Sequence, residues 1–426
     1  MLAPRTVADV TRAVLGAQER GLRVKTVGAG HSFSPVATTD GVMLQLDALC
    51  GIEAPQRLPG AEGRVTHSVR VAAGTRLHAL NAALAAHGLA LSNLGDVDRQ
   101  SVAGAISTGT HGTGGDDGTG AGLSAQVRGV QVVLADGRVV EASPTHEPTL
   151  FEAARLGLGA LGVLVGVTLG AEPAYVLEAR EEPAPLDHVL DALRSGELLG
   201  RNDHAELYWF PHTRSTLTKR NNRRAHDDAP LSRVRGWVDD ELLSNGVFEA
   251  TNRLAARAPG LIPTINRVAA RALGARTFTA PAHEVFVSRR RVRFRESEWA
   301  VPLDALPDAL RDVEAWLERS GELVSFPVEV RFARADDVWL STSHGRRTAY
   351  VAVHQFWRTD PTRYFDAVQR IMAAYDGRPH WGKMHTLDAA RLRALYPRFD
   401  DFLAVRDAVD PGRVFTNDHL DRVLGA

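Results

Sequence analysis

The stretch SVAGAISTGTHGTGG, residues 101–115, interleaves five glycines with serine and threonine hydroxyls and shows little helical or strand periodicity. Glycine lets backbone N–H groups approach a ligand with no Cβ in the way, so such a run suits a pocket in which amides and small hydroxyls surround a diphosphate. A packing loop can have the same composition, and this stretch alone does not choose. A second loop shifts the balance. LRVKTV (22–27) alternates like a strand and runs into Gly28-Ala29-Gly30-His31. Glycine–x–glycine after a strand invites a dinucleotide reading, yet the third glycine of the Rossmann fingerprint would fall at Ser32 or Phe33, and no helical pattern begins there. Two glycine loops, each with a histidine, point to a cofactor held outside a Rossmann fold.

Around these loops the pattern is α+β. Thr6 and Asp9 resemble a capping box, Val7, Val10 and Val14 follow at helical spacing, and Gly21 closes that helix. A second helix is predicted from Thr75 to Gly88, and VQVVLADGRVVEA (130–142) reads as a hairpin with a type I′ turn at Asp136-Gly137. The run Leu156 to Ala171 is uncharged but only 16 residues long with five glycines, so it reads as a buried loop and strand and not a membrane helix. Beyond Ala171 glycine thins out. A helix over about 303–317 ended by Gly321, strands near 327–332 and 350–357, and a helix starting at Asp360-Pro361 are predicted there. After Gly377 come HWGK and VFTNDHL with one helix between them. The expected division is 1–175 for the cofactor domain, 176–376 for a substrate domain, and 377–426 for a segment that completes the cofactor site.

At 426 residues, 44% hydrophobic and 24% charged, the chain has the composition of an ordinary globular protein of two to three domains. Fifty Lys+Arg against 51 Asp+Glu give no electrostatic reason to expect nucleic acid or an anionic membrane as partner. The basic run KRNNRR (219–224) reads as a solvated or loop face, since no aromatic ladder accompanies it. A single cysteine, Cys50, excludes an internal disulfide framework and a zinc site built from several cysteines, and no metal is expected. The N-terminus lacks the features of a signal peptide, and a cytoplasmic location is expected.

VGAGHSFSP (27–35), NLGDVDRQSVAGAISTGTHGTG (93–114), LGLGALGVL (156–164), HWGK (380–383) and VFTN (414–417) together resemble the vanillyl-alcohol-oxidase-type flavoproteins, specifically the sugar-1,4-lactone oxidase and alditol oxidase branch. The match runs through nearly the whole chain in the family's order. It implies a two-domain α+β flavoprotein with FAD between the cofactor domain and a substrate (cap) domain. It also implies that His31 carries a covalent bond to the flavin 8α-methyl carbon. A neutral imidazole is a competent nucleophile near pH 7, which agrees with that role. The cofactor positions implied are Gly28, Ala29, Gly30, Ser32, Gly95, Ser101, Gly104, Thr108, Gly109, His111, Gly112, Gly162, Val163, His380 and Asn417, with His111 shaping the pocket and not catalysing. The chain reaches His31 sooner than members of that family usually do, which implies a missing early strand or a start further upstream.

Oxidising an alcohol carbon needs a hydride acceptor, a group to take the hydroxyl proton, and positive charge near the reduced flavin. Glu329 and Arg331 stand two apart in PVEVRF, so a strand points both to one face and Val328, Val330 and Phe332 to the other. Such a pair is either a structural ion pair or a polyol-binding face, and the resemblance favours the second. His354 interrupts an apolar strand and Lys383 follows a glycine. The resemblance puts both near the reacting carbon, with Lys383 on the substrate hydroxyl and the reduced flavin, and with proton acceptance by His354 or Glu329 left open. Phe356 stands where the alditol oxidases of that branch tend to carry a small polar residue, and the segments 206–222 and 290–302 resemble the lactone oxidoreductases more, so the resemblance implies a cyclic sugar lactone over an open-chain polyol. The resemblance also implies oxygen as electron acceptor, giving peroxide, because Gly95 matches the position where related lactone enzymes carry glycine if oxygen enters freely and alanine if it is obstructed; a positive φ is the other reason for glycine there. A cytochrome or dye as acceptor, and the oligomeric state, stay open.

Overall fold

The Thr6 hydroxyl accepts the Asp9 amide and the Asp9 carboxylate accepts the Thr6 amide, so the capping box starts a helix over Val7–Gln18. Val10 and Val14 on its inner face are fully buried with the first strand pair, β1 (Val24–Val27) and β2 (Val42–Gln45), which runs parallel. Leu2 adds a bridge to that pair through its amide on Met43 and its carbonyl on Gln45. The computed structural model describes residues 1–59, 63–115, 122–226, 229–230, 246–288 and 291–426. Arg290, at the start of the 290–302 segment, lies outside them.

Among the described residues a six-stranded sheet holds β3 (Gln56–Arg57), β4 (His67–Ala72), β5 (Leu89–Ala90), β6 (Val127–Val133), β7 (Val139–Ala142) and β8 (Val163–Pro173). β8 lies between β4 and β6, and the predicted uncharged run is this buried strand with the loop before it. The β6–β7 hairpin differs from the expected turn. Gly137 has a φ of 82° while Asp136 is not in the left-handed region, so the turn is not type I′. The Asp136 carboxylate accepts the Arg138 amide at 3.0 Å, a side-chain turn that supplies the bend with only one positive φ. The 101–115 run also differs, since it contains a helix over Val102–Ser107 started by the Ser101 hydroxyl on the Gly104 amide. Six residues are too few to register as a helical period.

The second sheet has eight strands among the described residues. These are β9 (Val176–Pro185), β10 (His204–Trp209), β11 (Ser215–Arg224), β12 (Arg276–Pro281), β13 (Phe294–Pro302), β14 (Val328–Ala333), β15 (Thr348–Phe356) and β16 (Arg378–Pro379), in the spatial order 12-9-11-10-14-15-13-16. All pairings are antiparallel. KRNNRR is therefore part of a strand and not a loop. Its cations meet glutamates, with Lys219 3.5 Å from Glu206, Arg223 2.8 Å from Glu172 and Arg224 2.8 Å from Glu178. Alternation along the strands sends Leu207, Trp209, Val328, Val330, Val351 and Val353 to one face, where helices 186–194, 306–320 and 362–373 cover them. Gly321, with a φ of 65°, ends the second of these helices, and the Asp360 carboxylate accepts the Thr362 amide at the start of the third. The opposite face is polar and looks towards the glycine loops.

The C-terminal segment returns to the first strand pair and the loop after β1. Between HWGK and VFTN lie two helices, Ala389–Leu395 and Phe399–Val409, in place of the single one expected, because Pro397 cannot continue the first. The Gly382 carbonyl accepts the amides of Phe33 and Ser34, and the Val414 carbonyl accepts that of Val24.

Candidate active site

Two connected spaces form where the glycine loops meet the polar face of the large sheet. The first is a groove lined by Lys25 to Ser32, Ser101, Gly104, Thr108, Gly159 and Gly162. Among the described residues no protein acceptor takes the backbone amides of Ala29, Gly30, His31 or Ser32, and Gly30 has a φ of 72°. A row of free amides bent by a left-handed glycine is a concavity suited to phosphate oxygens. The loops approach each other closely, for a Cβ on Gly28 would lie 2.5 Å from the Ser101 hydroxyl oxygen. At the inner end Gln100 lines both spaces, and its Oε1 is buried without a hydrogen-bond partner among the described residues. These features fit FAD, whose diphosphate the 28–32 amides would hold.

The implied cofactor residues divide by position. Gly28, Ala29, Gly30, His31, Ser32, Ser101, Gly104, Thr108 and Gly162 line the groove. Gly95, His111 and His380 line the second space, a chamber that also shares His31, Ser32 and Thr108 with the groove. Gly109 acts through its carbonyl, which accepts from His380 Nε2, and Gly112 packs where a Cβ would meet the Leu94 carbonyl at 2.2 Å. Val163 is buried core. Asn417 works at one remove: its amide donates to the carbonyls of Pro35, Val36 and Thr38 while its Oδ1 caps the helix at 418–424. His31 stands at the junction, where burial, then Arg76 and Lys383, push its imidazole below the usual histidine range.

The floor of the chamber is a lattice of strand residues. Antiparallel register sets Tyr208, Glu329, Ala352 and Glu298 in one row across four strands, with Glu206, Arg331, Tyr350 and Ala300 in the row beside it. Ala352 is small, so the floor is recessed between the two carboxylates of Glu298 and Glu329. Arg331 pairs with Glu329 and lies 3.3 Å from Asp96 and 3.5 Å from Glu206. Burial alone would lower its pKa, but Glu329 and then Asp96 and Glu206 outweigh this and hold it well above the usual range. The Tyr208 hydroxyl donates to Glu329 at 3.2 Å. Glu329 and Arg331 thus share a face, as their spacing predicts.

Lys383 reaches the same chamber from the HWGK turn and pairs with Glu296. Burial raises the Glu296 carboxyl, yet Lys383 and then His354 outweigh it and hold the group down at about 2. Lys383 in turn is raised despite burial by Glu296 and Glu298. His354 is placed differently from the expectation. It does not line the chamber; its Nε2 lies 3.5 Å from Glu296 and its ring edge meets Phe294. Phe356 is buried with Val292 and Phe326 and touches neither space.

His111, Glu298 and His380 bring three metal-capable atoms within 4.8 Å of one another. His380 Nε2 donates to the Gly109 carbonyl and its Nδ1 accepts the Gly382 amide, so both nitrogens are already engaged. His111 Nδ1 donates to the Gly112 carbonyl, its Nε2 faces Glu298 at 3.2 Å, and its ring stacks on Tyr350. The arrangement is a hydrogen-bonded wall of the chamber.

Sequence reasoning missed Glu296, Glu298, Asp96, Gln100 and Lys25. The two glutamates stand two apart in RESEW, the same signal that singled out Glu329 and Arg331. Lys25 sits in β1 at 2% exposure and donates to the carbonyls of Gly159 and Phe415. Burial, followed by Arg406, takes it down to about 7.

Residues 167–423 match the family described as D-arabinono-1,4-lactone oxidase, and residues 1–143 match the family described as FAD binding domain. An L-gulono-1,4-lactone dehydrogenase of Mycobacterium tuberculosis (strain H37Rv) is 39% identical over 427 residues, covering 100% of this chain and 96% of its own. The L-gulonolactone oxidase of Bos taurus is 33% identical, covering 99% and 94%, and an alditol oxidase of a Streptomyces species is 34% identical, covering 93% and 89%. Among solved structures, cholesterol oxidase from Brevibacterium sterolicum superposes with a TM-score of 0.82 over 99% of this chain and 93% of its own. At 18% identity that likeness is one of fold.

Proposed function

The chain belongs to the D-arabinono-1,4-lactone oxidase family, and we propose that it oxidises an aldono-1,4-lactone at its C2 hydroxyl. When bound, FAD supplies the hydride acceptor. The observation that carries the reading is the charged chamber of Glu329, Arg331 and Lys383 opening onto the groove at His31. Lys383 is kept cationic by Glu296 and Glu298 and stabilises negative charge as it develops. Glu329 accepts the hydroxyl proton, a role favoured over His354 because only Glu329 lines the chamber. Arg331 and Tyr208 hold its carboxylate in place. His31, kept neutral, is the covalent attachment point. Cys50 is exposed and unpaired, as suits a reducing compartment such as the cytoplasm, and no described helix is long and apolar enough to cross a membrane.

Anaerobic mixing with a panel of lactones and polyols tests the assignment. Lactones should bleach the flavin faster than polyols, and the reverse order would make the enzyme an alditol oxidase. Flavin should stay on the acid-precipitated chain and be lost to the supernatant in His31→Ala.

Oxygen is the proposed acceptor. Gly95 lines the chamber without a positive φ, so its backbone does not demand glycine; a Cβ there would lie 2.9 Å from the Thr110 methyl and 3.2 Å from the His111 carbonyl oxygen. Gly95→Ala should therefore slow stopped-flow reoxidation by oxygen more than it slows anaerobic reduction. Equal oxygen rates, or a wild type reoxidised only by a dye or cytochrome, would refute the gate.

A further inference from the structure

A larger cavity of about 720 Å³ adjoins the chamber, between the outer half of the eight-stranded sheet and the helices Phe248–Arg257 and Ile262–Ala272. Its walls are mostly apolar, with Leu217, Phe248, Ile265, Phe286, Val292 and Phe326 among them, beside the charged Glu181, Glu206, Lys219 and Arg276, and Val247 and Val268 at 47% and 61% exposure form an apolar rim. Asp96, Phe294 and Glu329 line both spaces, so the two are continuous at the residue assigned to accept the proton. We propose that this cavity is a substrate subsite, and that the natural donor carries a hydrophobic substituent on its polyhydroxylated head. The head is the lactone of the preceding section, on which this inference rests.

Two observations choose this occupant. The charged chamber is small, about 130 Å³, and although Glu298, Glu329, Arg331 and Lys383 there are paired with protein neighbours, filling it strips them of water, a cost that hydroxyls offset and an apolar ring does not. A separate apolar molecule can occupy the outer cavity but would strand those groups if it moved inward to the flavin. A single amphiphile satisfies both spaces. The second observation is His354, 4% exposed on the wall of the outer cavity, whose Nδ1 has no hydrogen-bond partner among the described residues. Unpartnered buried polar atoms are uncommon and call for an explanation. An ester, ether or hydroxyl oxygen joining head to tail would pass His354 and pair with it.

The test compares L-gulono-1,4-lactone with its 6-O-octanoyl ester in anaerobic reduction of the holoenzyme. Each fully buried methylene is worth roughly fourfold in binding, so even partial burial of the chain should lower the half-saturating concentration at least about tenfold. Ala269→Trp, on an exposed helix position bordering the cavity, should bring the ester-to-parent ratio back towards one. An ester no better than the parent overturns the subsite and leaves lactone oxidation standing. If neither compound bleaches the flavin, the lactone reading has failed. The subsite is then decided by calorimetric titration with n-octyl glucoside below its micellar concentration. Saturable binding weakened by Ala269→Trp upholds it, and no binding, or binding indifferent to the substitution, overturns it.

Discussion

Lys383 illustrates how one side chain depends on neighbours far away in sequence. It comes from a turn after β16, its charge is sustained by Glu296 on β13, and it faces residues of β14 across the chamber. Lys383→Met keeps the apolar stem and removes the charge, so flavin reduction should fall about 10²- to 10³-fold, as for loss of one preorganised electrostatic donor. Unchanged anaerobic reduction in a flavin-loaded variant would remove Lys383 from the chemistry. The same substitution strips Glu296 of the partner that holds it near 2. Because that carboxyl is depressed in the folded protein, its stabilisation is complete above the ordinary 4.5 and is lost as pH falls towards 2. The stability gap between wild type and Glu296→Gln, read by thermal melting, should therefore narrow across that window, and a constant gap would contradict the pairing. The sequence singles out Lys383, Glu329 and Arg331, which the fold brings to one chamber. Glu296 and Glu298 are not singled out, although their spacing carries the same signal, because nothing local says which face of a strand will meet a cofactor.

The Gly28 turn and the helix at 102–107 are built against each other. The Ser101 hydroxyl caps the helix and occupies the space that a side chain on Gly28 would need. Gly28→Ala should thus lower both FAD affinity and melting temperature. Ser101→Gly removes the obstructing atom, and glycine is nearly as good an N-cap as serine, at a cost of a few tenths of a kcal/mol. The double variant is expected to be more stable than Gly28→Ala alone, by about 0.5 kcal/mol or more of coupling. Additive losses in a melting-curve cycle would show that the clash is relieved elsewhere. Long periodic elements, such as the helices at 7–18 and 306–320, are legible in the amino-acid pattern because caps and apolar spacing agree there. The short helix at 102–107 and the strand carrying KRNNRR are not. The first is too brief to show a period, and the second has its charges neutralised by glutamates from neighbouring strands and from β8.

Across the whole molecule, acid should be felt through buried histidines. Burial is the leading cause that takes His204, His380 and His419 down to about 4 and His385 to about 3, from an ordinary 6.5. In the folded state they stay neutral where the unfolded chain would bind protons, so stability rises with pH over this range and is lost as pH falls from about 6.5 towards 4. Unfolding at pH 5 should take up about four protons from this set, each worth about 1.4 kcal/mol per pH unit. Denaturant midpoints that do not move between pH 7 and 5 would contradict this. A different consequence follows from Asn417, whose amide ties together the carbonyls of Pro35, Val36 and Thr38 from 382 to 379 positions away. Asn417 follows that loop by almost the whole described chain, so the groove's outer loop is unsecured until the segment carrying Asn417 has been made and has folded back. Flavin capture then waits for that segment, chains cut short before Asn417 emerge colourless, and yellow colour in a cell extract reports only polypeptides that extend past it.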